Sequence, residues 1–80
     1  MDQTAVYTRL TGIFHDVLDD DDIVLAPHLT AGDVEGWDSL AHVRLILTIE
    51  KAFGVSFTAS EVGRLKNVGE LASLIQSKAS

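Results

Sequence analysis

Apolar side chains recur at Val6, Leu10, Ile13, Phe14 and Val17, the spacing of one face of a helix. This predicts an amphipathic helix over 4–18, with Asp2 or Thr4 able to cap its start. Asp19 to Asp22 then break the pattern. Four adjacent carboxylates are unfavourable at a helix C-terminus, which already carries partial negative charge, so the helix is expected to stop there. From 19 to 37 no period is sustained, and Pro27, Gly32 and Gly36 punctuate the stretch. Its apolar residues Ile23, Val24, Leu25 and Leu29 are expected to turn down and plug one end of a core. Loops of that length in a small domain are often functional.

Periodicity returns at Asp38, a good N-cap residue, with Ser39 as the first helical position. The helix should run to about Phe53, with Gly54 as its stop. It carries two apolar stripes: Leu45, Ile46, Ile49 and Phe53 form one, and Leu40, Val43 and Leu47 form another, rotated around the axis. A helix in a small bundle needs one core stripe. The second stripe is therefore expected to be at least partly exposed, as a docking surface would be.

Val55, Ser56 and Phe57 read as a short extended link. Thr58-Ala59-Ser60-Glu61 matches a capping box and opens a short helix through about Leu65, weakened by Gly63. Asn67 with Glu70 marks the next start. Val68, Leu71, Ala72 and Ile75 give the inner face of a last helix ending near Lys78. There is no internal repeat and no low-complexity segment. The expected architecture is one all-α domain over 1–80, a small four-helix bundle of three main helices and one short helix, with a long loop between the first and second.

Composition narrows the function classes. The chain has 80 residues, 46% hydrophobic and 22% charged, so it should fold but bury too little for a large internal active site. There is no cysteine, which leaves packing as the source of stability and removes thiolate metal sites. A formal net charge of −6 repels nucleic acid and anionic lipid and suits a partner with a basic patch. Met1-Asp2-Gln3-Thr4 does not read as the start of a signal peptide. No apolar run approaches the ~20 residues that span a bilayer. The expectation is a soluble, cytoplasmic monomer without nucleic-acid or membrane partners.

The stretch richest in candidate chemistry is Gly36-Trp37-Asp38-Ser39-Leu40. Ser39 falls where a long loop meets a helix, beside unpaired backbone N–H groups and the positive end of the helix dipole. A phosphodiester on its hydroxyl would be favoured there. Asp38 can cap the helix or help to hold a metal ion brought by a partner. A hydrolase nucleophile would instead read Gly-x-Ser-x-Gly after a strand, but position 41 is Ala41 and no strand precedes Ser39. Nothing in the spacing of His15, His28 and His42 pairs them with Ser39 or suggests a metal site.

Asp38-Ser39-Leu40 is followed by Val43, Leu45, Ile46, Ile49, Glu50 and Phe53-Gly54-Val55, and is entered through Leu29 and Asp33-Val34-Glu35-Gly36-Trp37. On these residues the chain resembles the acyl carrier protein family, including the free-standing carriers of polyketide and non-ribosomal peptide synthesis, over nearly its whole length. The resemblance implies that Ser39 accepts phosphopantetheine from coenzyme A through a separate Mg-dependent phosphopantetheinyl transferase. The arm's thiol would then hold an acyl cargo as a thioester. The second helix would be the surface read by loading and processing enzymes of ligase, ketosynthase or acyltransferase type. The carrier itself would not be an enzyme and would hold no resident metal.

One departure bears on the pathway. Fatty-acid carriers usually show several acids on the partner face of that helix, whereas here the face offers Ala41, Arg44 and Lys51 around Leu40, Val43 and Leu47, with Asp38 and Glu50 remaining. This favours a specialised biosynthetic pathway. An aminoacyl or peptidyl carrier and a helical interaction module without a prosthetic group are the alternatives. The Asp19–Asp22 run lacks the spacing of an EF-hand and reads as a solvated turn. His42 reads as a plain surface residue and Trp37 as a packing anchor for the loop.

Overall fold

The computed structural model describes residues 2–79. Its elements are helix α1 (Gln3–Leu18), a single 3-10 turn (Ala31–Asp33), and helices α2 (Ser39–Phe53), α3 (Ala59–Arg64) and α4 (Val68–Ala79), with no strand among the described residues. Helix α1 packs against both α2 and α4. The interior is formed by Val6, Leu10, Ile13 and Phe14 of α1, Ala41, Leu45, Ile46 and Ile49 of α2, and Val68, Leu71, Ala72 and Ile75 of α4. These are the apolar stripes of the sequence, brought face to face. Phe53 of the inner α2 stripe is only half-buried, and Arg9 lies over its ring, 5.6 Å from the centroid.

Local chemistry sets the helix ends. Asp2, rather than Thr4, caps α1, its Oδ1 accepting the Ala5 N–H at 2.8 Å. Asp19 closes α1 in the left-handed region at φ 52°. That conformation is tolerated by Asp, and it ends the helix where the acidic run begins. Thr58 and Glu61 form the reciprocal capping box of α3. The Thr58 amide, and after it Lys78 at 3.1 Å, hold the Glu61 carboxyl below its ordinary range.

The long loop is fixed by backbone bonds that reach far along the chain. The carbonyls of Leu29 and Pro27 accept the N–H groups of Val68 and Gly69, each at 2.9 Å, and so satisfy amides of the first turn of α4. Asn67 Oδ1 takes a third, from Glu70. A Cβ on Gly69 would stand 3.0 Å from the Pro27 carbonyl oxygen, so a side chain there would press on the loop where it meets the helix. At the other end of the loop, His15 Nε2 bonds the Ile23 carbonyl at 2.8 Å.

The expected plug forms only in part. Ile23 is buried and Leu25 and Leu29 are half-buried, but Val24 is 81% exposed. Residues 23–26 belong to no helix or strand, and Ile23 faces the core while Val24 faces solvent. Among the described residues, no helix is long and apolar enough to cross a membrane.

Candidate functional site

Ser39 lies at the start of α2, and the two residues before it are fixed by packing and capping. Gly36 turns the chain at φ 88°, and the Trp37 N–H closes the turn on the Val34 carbonyl. The Trp37 ring then enters the core, 8% exposed, and meets Phe14 edge-on at 5.0 Å. Asp38 follows in extended conformation as the N-cap, Oδ1 accepting the Ala41 N–H at 2.8 Å while its carbonyl accepts from His42 at 2.9 Å. With Trp37 and Ala41 both turned inward, Ser39 and Leu40 face outward. Ser39 is exposed, and Leu40 is 71% exposed.

A phosphodiester on the Ser39 hydroxyl fits this setting. The amides of Ser39 and Leu40 are in the first turn, where a helix supplies no acceptor of its own. The helix dipole is positive at that end, and the first turn of α2 contains no acidic residue. The neighbouring carboxylate, Asp38, is engaged in capping. Among the described residues no group of three or more His, Cys, Asp or Glu side chains is placed to hold a metal ion.

His42 is not the plain surface residue expected from the sequence. It is half-buried, its ring stacks near Trp37 with centroids 6.1 Å apart, and its Nδ1 accepts the Trp37 indole N–H at 3.2 Å. That bond places the neutral imidazole's proton on Nε2. Desolvation holds the His42 pKa below its ordinary value. Lys66 lines the small cavity beside Trp37 and His42, and no carboxylate does. Sequence reasoning misses the histidine–tryptophan pairing because a five-residue separation across a loop–helix junction matches no helical spacing. The bulk of Trp37 is its only signal.

The second stripe of α2 is exposed as expected, with Val43 and Leu47 at 54% each, and Arg44 and Lys51 are exposed beside it. Two residues assigned to this face are less exposed than the rest, although Glu50 still lines the groove beside it. Ala41 is buried, because it follows the cap into the α1 contact. Glu50 is half-buried, its Oε2 accepting the Phe57 N–H at 2.8 Å to secure the 55–57 link. Between α2 and α3 runs a mostly apolar groove of about 410 Å³, with Val43, Leu47, Phe57 and Val62 in its walls.

An exposed serine at the N-terminus of an amphipathic helix, in an all-helical bundle, is the arrangement a carrier domain needs. The sequence matches the profile of the family described as "Phosphopantetheine attachment site" over residues 8–75. The chain belongs to that family. The fold is similar to the solution structure of the holo acyl carrier protein from Geobacter metallireducens, with a TM-score of 0.87 and 44% identity, covering 91% of this chain and 84% of that one. No curated protein matches the sequence significantly. The protein is thus an acyl carrier protein, a non-enzymatic domain bearing covalent phosphopantetheine and working with a phosphopantetheinyl transferase and biosynthetic enzymes.

Proposed function

We propose that Ser39 is the residue that carries the arm, and that Asp38 supports it, as the cap of α2 and as a carboxylate able to assist the transferase's metal ion. The observation that carries this reading is the exposure of Ser39 at the positive end of α2, immediately after the cap. When attached, the arm supplies a thiol that holds an acyl group as a thioester. Leu40, Val43, Arg44, Leu47 and Lys51 form the face read by partners, which are loading and processing enzymes of ligase, ketosynthase or acyltransferase type. The cations on that face favour a dedicated pathway over housekeeping fatty-acid synthesis. Residues 1–80 act as one acyl-carrier domain, in the cytoplasm.

Intact mass after incubation with coenzyme A, Mg²⁺ and a promiscuous phosphopantetheinyl transferase tests the assignment. The chain should gain one arm. Ser39→Ala should gain none while keeping the same circular dichroism spectrum. Loading of Ser39→Ala, or no loading of the unaltered chain, would overturn it.

A further inference from the structure

The charges of this chain are sorted along its length. Nine of its twelve carboxylates lie at or before Asp38, with Arg9 as the sole Lys or Arg there. Beyond Asp38 stand three carboxylates and five cations. All three of those carboxylates hold backbone amides: Glu50, at the α2–α3 groove, that of Phe57, Glu61 that of Thr58 together with Lys78, and Glu70 that of Lys66. Arg44 and Lys51 on α2 and Arg64 on α3 are exposed, and among the described residues no carboxylate lies within ion-pair distance of them. A protein of net charge −6 therefore presents three exposed cations beside the α2–α3 groove, whose one lining carboxylate, Glu50, is half-buried and bonded to the Phe57 amide.

The same face holds three of the four large apolar side chains that are most exposed, Leu40, Val43 and Leu47. Positions 40, 43, 44, 47 and 51 share one side of α2 by helical spacing. Apolar contact area and uncompensated cations are thus presented together.

From this we infer that the α2–α3 face docks onto enzymes whose carrier-binding surface is acidic, with an apolar contact seated among carboxylates. The inference rests on the reading of α2 as the partner face and adds the sign of the partner's charge. The apolar ridge supplies contact, and Arg44 and Lys51 supply selectivity, attracting an acidic surface and repelling a basic one. Exposed pairs contribute modestly, so the preference should be about 3- to 10-fold at low ionic strength. It should fall as salt shortens the screening length.

The probe is a fatty-acid-type ketosynthase chosen for a basic carrier-docking patch, alongside the same enzyme with the patch cations changed to glutamate. Affinity is measured for the unloaded, fluorescently labelled chain at low and high salt. The reading therefore does not depend on what Ser39 carries, and failure of arm attachment would show separately as an unchanged intact mass. The chain should bind the acidic-patch enzyme more tightly at low salt, and Arg44→Glu with Lys51→Glu should reverse the order. Equal affinity for the two patches, a preference for the basic one, or no binding to either would overturn the inference.

Discussion

The two faces of α2 are built from the same kinds of residue and have opposite fates. Leu45 and Ile49 are 1% and 0% exposed, while Leu40, Val43 and Leu47 stand more than half in solvent. Hydrophobicity along the helix does not distinguish the two sets. The neighbours do: α1 and α4 cover one side, whereas α3 is short and leaves an open groove on the other. The inner face stabilises the bundle and the outer face is left open to solvent.

Substitution should separate the faces by stability. Leu45→Ala or Ile49→Ala removes fully buried volume and should cost about 2–5 kcal/mol in urea unfolding. A loss under about 1 kcal/mol would mean that the core can collapse around the deletion. Next in size is the junction between the faces. Asp38→Ala removes the bond to the Ala41 amide and should cost about 1 kcal/mol, with Asp38→Asn keeping most of it. Equal losses for the two variants would show that charge rather than capping matters.

A smaller effect is expected at His42. Burial lowers its pKa from the ordinary 6.5, so the unfolded chain binds its proton more readily. The contribution of neutral His42 is complete above pH 6.5 and is lost as pH falls from there toward the lower folded value. Protonation also removes the Nδ1 acceptor of the Trp37 N–H. Because Trp37 is the sole tryptophan, its emission should change over the same range, and His42→Gln should abolish that change. Retention of the change in His42→Gln would show that His42 is not its source. Smallest of all, Leu47→Ala on the outer face should alter stability by no more than about 0.5 kcal/mol, while weakening binding to a processing enzyme.

Most of this division is legible in the order of residues alone. Asp38 and Gly54 are strong local signals and bound α2 where expected, and the Thr58–Glu61 box does the same for α3. Ser39 stands out because cap, helix and loop meet there. The loop is far less legible. Its order comes from the Pro27 and Leu29 carbonyls bonding amides some forty residues away in α4. Backbone bonds at that range leave no local period. For the same reason Val24 cannot be told from Ile23 by pattern, nor His42 from a surface residue. Ala41 and Glu50 are misplaced by helical spacing because it gives the side of a residue but not what it bonds.

We place the arm where the two faces of α2 begin. The most direct test is fragmentation mass spectrometry of the loaded chain, which locates the added phosphopantetheine among its serines. The whole of the adduct should lie on Ser39. An adduct on Ser56, Ser60, Ser73 or any other serine would contradict the assignment.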